Sequence, residues 1–268
     1  MAGRHAKGSP TRSADDASRL PETRSRRSGN EQPKRKKPPL IWRFVGLIGE
    51  LLITAGLLIG LFVVWQLWWT DIEANRAQSV AIAEITDEWV DPGPAIGTPR
   101  TDPPPEFPHL TDEGAYLGIM RIPRFGEDYA YTIAEGTGLE RVLDTGAFGH
   151  YEDTAYPGEI GNFATAAHRQ TYGAPMREVA DLQIGDPIIV ETADAYLVYK
   201  VTESYIVAPS ESEVVLPVPR HPESEPTSRL LTITTCHPPF VSNQRWIIHA
   251  EMDHWIDRDE GVPAELAH

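Results

Sequence analysis

The sequence predicts an all-β domain, a closed barrel or a sandwich, preceded by one transmembrane helix. Three observations carry this. Short β-type runs recur at even spacing between turn signals after Leu110. Helical patterning is sparse in the same region. Upstream, Leu51–Thr70 reads "LLITAGLLIGLFVVWQLWWT", twenty residues without a charge, the length that crosses a bilayer core as a helix.

Taken in order, residues 1–39, the bulk of a tail bounded at residue 42, are rich in Arg, Lys, Ser, Gly and Pro and hold almost no large apolar side chains. Such a segment cannot offset its chain entropy, so a disordered basic tail is expected. Residues 1–43 carry twelve Lys/Arg against four Asp/Glu, a net of +8, whereas residues 71–268 carry twelve against thirty-four, a net of −22. The overall charge of −15 therefore describes no actual part of the chain. The basic block flanks an apolar run, which points to a membrane rather than to nucleic acid. Residues 43–70 form the expected span, with Trp42 at one end and Trp65, Trp68 and Trp69 at the other, as in an interfacial aromatic belt. Basic residues lie on the N-terminal side, so the N-terminus is expected in the cytoplasm and residues 71–268 outside, at the cell membrane. The run is too long for a cleaved signal peptide, and no small-residue cleavage site follows it.

Residues 71–109 read as an extracellular stalk. Residues 71–90 have helix-forming composition and would extend the span outward. Residues 91–108 hold seven prolines and read as a semi-rigid spacer lifting the domain off the membrane. The globular domain is expected over 110–256. Its β-type runs are "AYLGIMRI", "DYAYTIAE", "NFATAAH", "DPIIVETA", "AYLVYKVTESYIVA", "RLLTITTC" and "RWIIHAEM", and "GAPMREVADLQIGD" could hold one short helix. Residues 257–268 read as a flexible tail.

Cys236 is the single cysteine. It excludes an intramolecular disulfide and a cysteine-rich zinc site, and a lone thiol outside the cell asks for a reason. It ends the strand-like "LLTITTC", just before His237 and two prolines. A thiol nucleophile needs a proton-transfer partner, most often His, brought close by the fold. His237 is a poor one, because neighbours on a strand point to opposite faces. His168 ends the strand-like "NFATAAH" beside a loop, held rigidly yet open to substrate. Arg245, nine residues after Cys236, would lie alongside it if the two strands pair as a hairpin, and would supply a cation for oxyanion charge. On the residues alone, an inert core thiol remains a full alternative.

The combination resembles the sortase family. "TITTC" is similar to the family's strand-ending Thr-Leu-X-Thr-Cys signature, "AHRQTYGAP" to the segment that follows its catalytic histidine, and "QRWIIHAE" to the strand that carries its arginine. The order His, Cys, Arg fits, as do the sixty-eight residues from His168 to Cys236. The resemblance covers roughly residues 112–252 and is nearest to class E sortases of high-GC Gram-positive bacteria. Ala167 is a departure, standing where many sortases have Gly before the histidine.

The resemblance implies a sortase-type eight-stranded β-barrel and a cysteine transpeptidase without cofactor. It implies Cys236 as nucleophile, His168 as acid and base, and Arg245 as oxyanion or backbone ligand. Thr235 would contact substrate backbone and Tyr151 would line the sorting-motif groove. Implied partners are secreted proteins with a C-terminal sorting motif, cut between Thr and Gly, and a peptidoglycan-precursor or pilin amine as acceptor. Class E likeness favours Leu-Ala-X-Thr-Gly over Leu-Pro-X-Thr-Gly. Glu152, Asp153 and Glu159 are read as solvated carboxylates rather than a calcium site, so no metal is expected. Two other readings stand beside this one. A pilin-polymerising sortase is disfavoured because no second span follows the domain. A membrane-tethered binding module with an inert thiol is the reading from another class. A papain-like order is excluded, since His168 precedes Cys236.

Overall fold

The computed structural model describes residues 39–267. The basic tail expected over 1–42 lies almost wholly outside them. Two compact units divide at Ile53/Thr54, and the barrel belongs to the second.

Helix α1 runs over Leu40–Thr86. From Leu51 to Trp69 its described large apolar side chains are 47–75% exposed, so no protein covers them. It is long and apolar enough to cross a membrane. Beyond Thr70 its character changes. Ala74, Gln78 and Ala81 are buried at the three- and four-residue spacing of one helix face.

Eight strands follow: β1 Tyr116–Arg121, β2 Tyr131–Glu135, β3 Phe148–His150, β4 Gly161–Ala166, β5 Pro187–Glu191, β6 Ala195–Val207, β7 Arg229–His237 and β8 Gln244–Asp257. They close into a barrel in the order β1-β2-β3-β4-β7-β8-β6-β5, with β5 returning to β1. Most pairs are antiparallel, but β2–β3 and β4–β7 are parallel. β3 escaped the sequence reading because three residues with a glycine at their centre look like a turn. The helix expected in "GAPMREVADLQIGD" is reduced to one 3₁₀ turn, Val179–Asp181.

The barrel interior is filled by alternate residues of each strand. Phe163 of β4, Leu231 and Ile233 of β7, and Ile248 and Ala250 of β8 share one buried cluster. Period-two alternation then puts Thr232, Thr234 and Cys236 on the outer face of β7, and Arg245, Ile247 and His249 on that of β8. Ile247 accordingly packs in a separate cluster with Val207 and Val214.

Two segments differ from their expectation. The proline-rich stretch is a strap on the barrel rather than a free spacer. Ile96 bridges Val262 and Arg100 bridges Trp255, Trp255 Nε1 donates to Asp102 O at 2.8 Å, and Phe107 and Leu110 pack on the main core. Prolines hold such a segment extended and lack donors of their own, so a surface can take it with few backbone groups to satisfy. The segment 257–268 is not a loose tail over its described part. Val262 and Leu266 pack against Ile189, Tyr196, Val198 and Ile256, and Lys200 Nζ donates to Glu265 at 2.8 Å.

Candidate active site

Strand register brings the candidate residues together. β7 and β8 pair with Cys236 opposite Arg245, which puts both side chains on one face with Cα atoms about 4.5–5.5 Å apart. On the other flank, β4 runs parallel to β7 with Ala166 level with Thr234. The ladder continues one step, as Ala167 N donates to Thr234 O at 3.1 Å. His168 follows two residues beyond the end of β4, on the side of β7 opposite β8. Adjacent strands thus deliver the thiol and the guanidinium side by side, and the chain leaving β4 carries the imidazole toward the same end of the barrel. Cys236 is a free, partly exposed thiol.

His168 has a partner that sequence reasoning missed. Its Nε2 lies 2.8 Å from Asp144 Oδ1. The pair is 20% and 25% exposed, and the His168 ring stacks on Tyr172 with 5.4 Å between centroids. Nε2–H donation to the carboxylate fixes ring orientation and leaves Nδ1 for proton exchange. Among the described residues Nδ1 has no hydrogen-bond partner. Asp144 sits in the 3₁₀ turn Leu143–Thr145, in a stretch with no periodic pattern to announce it.

Arg245 Nη1 donates to Ser242 O at 3.0 Å and to Gln244 O at 2.9 Å. Its Nε and Nη2 have no hydrogen-bond partner among the described residues. The guanidinium is therefore braced by backbone on one side and open on the other.

Tyr151 reaches the same face, its hydroxyl 2.9 Å from Thr234 Oγ1. Thr235 does not. It is 3% exposed, and its hydroxyl donates inward to Ala167 O at 2.7 Å. Strand alternation turns the Thr235 side chain away from Cys236 and leaves the Thr234 hydroxyl on the Cys236 face. Thr235 instead ties β7 to the backbone just before His168.

His237 likewise faces away, with Arg169 Nη1 donating to its Nδ1 at 2.5 Å. Arg169 lies over the Trp246 ring at 4.9 Å and braces the strand end from below. No group of three or more His, Cys, Asp or Glu suited to a metal occurs among the described residues. Glu159, one of the carboxylates considered for calcium, is engaged with His109 at 2.6 Å and with Tyr156 N at 2.8 Å.

Comparison with known proteins agrees with the closed barrel. The Sortase domain family model matches residues 120–253. Sortase SrtE1 of Streptomyces coelicolor is 35% identical over 248 residues, covering 90% of this chain and 66% of that protein. Sortase SrtE2 of the same organism is 34% identical over 233 residues, covering 83% and 88%. Among solved structures, the SrtA sortase from Actinomyces oris matches with a TM-score of 0.60 at 44% identity, covering 63% of this chain and 96% of that one. Sortase E1 from Streptomyces coelicolor, solved with a tripeptide in the active site, matches with a TM-score of 0.53 at 38% identity, covering 57% and 97%.

Proposed function

The chain belongs to the sortase family of cysteine transpeptidases, and from that premise we propose that it joins secreted proteins to a cell-wall amine from an anchored position on the outer face of the cell membrane. The substrate would carry a C-terminal sorting motif of the Leu-Ala-X-Thr-Gly or Leu-Pro-X-Thr-Gly type. The observation that supports the assignment of residues is the pairing of Cys236 with Arg245 across β7 and β8, with His168 two residues past the end of the neighbouring strand β4. The tripeptide held in the active site of the similar sortase E1 supports a peptide ligand for this groove.

Cys236 Sγ, as thiolate, attacks the Thr carbonyl carbon and forms a tetrahedral intermediate. Arg245 donates from its open N–H groups to the oxyanion. His168, as imidazolium, protonates the departing Gly nitrogen as the C–N bond breaks, leaving a thioacyl enzyme. Asp144 holds the ring through Nε2 while Nδ1 moves the proton. The acceptor amine then attacks the thioester, loses its proton to His168, and releases Cys236. Acyl energy is conserved in the thioester, so no nucleotide is consumed. Tyr151 lines the motif's path along β7. The basic flank before α1 supports a cytoplasmic N-terminus.

The test is cleavage of a fluorogenic Leu-Ala-X-Thr-Gly peptide, with and without an amine. The full chain should release fluorophore and form the amide product. Cys236→Ala should abolish both. Activity that survives Cys236→Ala would remove the thiol from the mechanism and favour the binding-module reading.

A further inference from the structure

The loop between β7 and β8 begins two residues after Cys236 and reads "PPFVSN". It presents Phe240 at 74% exposure and Val241 at 62%. Neither is covered by the barrel. Phe240 and Ser242 both adopt positive φ, 62° and 57°, a conformation that a bulky aromatic rarely takes. The chain accepts that strain and turns the apolar pair outward.

What lies next to this tip identifies its occupant. A cavity between the loop and α1 is lined by Val64, Trp68, Arg169, Arg177, Pro239 and Phe240. Val64 and Trp68 belong to the outer end of the apolar run, where the tryptophan belt marks the membrane–water boundary. Asp71, one turn on, pairs with Arg177 and accepts from Gly173 N at 3.2 Å. Asn75 Oδ1 accepts from Tyr131 OH at 3.2 Å. Gln78 Oε1 accepts from Thr132 N at 2.8 Å. Gln78 Nε2 donates to Thr145 O at 3.0 Å. These contacts fix the His168 and Cys236 end of the barrel against the helix where it would leave the bilayer. The other end of β8 is far away, since its fourteen residues extend about 45 Å.

We propose that the β7–β8 tip, Phe240 and Val241, inserts into the membrane interface beside the tryptophan belt and holds the catalytic groove open toward the bilayer surface. The occupant is lipid. The apolar tip lies alongside the already apolar, uncovered surface of α1. The acidic domain as a whole, net −22 over 71–268, gains nothing by general attraction to an anionic surface. Contact must therefore come from this local apolar tip. A groove so placed receives peptide and amine partners that are themselves held at the membrane.

This inference rests on the reading of α1 as a membrane span, and the test separates the two. The full chain carrying Cys236→Ala is given one new thiol at a time: Leu58→Cys in the span, Val241→Cys at the tip, or Asp259→Cys beyond the far end of β8. Each is labelled with an environment-sensitive fluorophore and reconstituted in phosphatidylcholine–phosphatidylglycerol vesicles. Quenching is read with lipids spin-labelled near the headgroup and near the acyl end. The 241 probe should be blue-shifted and lose emission to the shallow quencher, the 58 probe to the deep one, and the 259 probe to neither. A quenched 58 probe with a 241 probe that behaves like 259 overturns the insertion and leaves the span standing. An unquenched 58 probe overturns the span and the insertion with it. Equal quenching at 241 and 259 overturns the selective role of the tip.

Discussion

His150 and His168 each place a ring nitrogen 2.8 Å from a carboxylate, Glu135 in one case and Asp144 in the other. Their surroundings differ. His150 and Glu135 are register partners on β3 and β2, with side chains 1% and 4% exposed. Both ring nitrogens of His150 are engaged, since Thr154 Oγ1 and Ala155 O approach its Nε2 at 2.9 and 3.1 Å. Tyr156 and Phe163 wall it in. His168 is partly open, has Nδ1 without a hydrogen-bond partner among the described residues, and follows the strand that pairs with β7. A carboxylate partner therefore does not by itself mark a catalytic histidine. The spare nitrogen is what sets the proposed one apart. The buried pair is a structural tie whose members are costly to separate.

The largest effects should follow from removing each histidine in turn. His168→Ala should lower kcat by about 10²- to 10⁴-fold and leave the urea midpoint near that of the parent. His150→Ala should do the reverse, costing about 3–5 kcal/mol of stability because Glu135 is left buried without its partner. The molecules that still fold should turn over normally per reactive thiol. Urea unfolding together with turnover per alkylatable Cys236 separates the two. A His150→Ala chain of parental stability but without turnover would break the distinction.

A third histidine sharpens it. His249 lies on the outer face of β8, but its ring accepts or donates at 2.8 Å to Thr232 Oγ1 and at 2.6 Å to Tyr205 OH. Burial, with Arg220 nearby, pushes its pKa down to about 4. The unfolded chain binds that proton near pH 6.5 and the folded chain does not until about pH 4. Stability from this residue is thus complete above pH 6.5 and lost as pH falls toward 4, by about 2–3 kcal/mol. His249→Gln should flatten that part of the stability–pH curve. An unchanged slope between the two values would show that the ring is not held neutral.

The sequence made seven of the eight strands visible because each alternates apolar and polar residues between turn signals. It did not show β3, whose three residues are defined by neighbours on both sides rather than by their own pattern. Cys236, His168 and Arg245 were readable because two end β-type runs and one begins one, and the family likeness supplied the pairing order. Asp144 was not readable: it stands in a 3₁₀ turn and meets His168 across twenty-four residues. The strap was misjudged because composition reports stiffness, not what a stiff segment rests against. The inward turn of Thr235 was not weighed in the sequence, although adjacency along a strand means opposite faces.

Tyr151 offers the smallest test and the finest one. Its hydroxyl shares a hydrogen bond with Thr234, so two roles are open to it: holding the β7 strand that aims Cys236, or presenting a hydroxyl to the peptide. Tyr151→Phe and Thr234→Val cut the same bond from opposite sides. A net hydrogen bond is worth about 0.5–1.5 kcal/mol, or roughly two- to tenfold in an equilibrium constant. If Tyr151 serves the peptide, Tyr151→Phe should raise KM by that factor with kcat unchanged, and Thr234→Val should change KM less. If the bond serves the strand, both variants should lower kcat alike, because either loosens the segment two residues before the thiol. Equal kcat losses would move Tyr151 from the groove wall to the scaffold, on the same side of the comparison as His150.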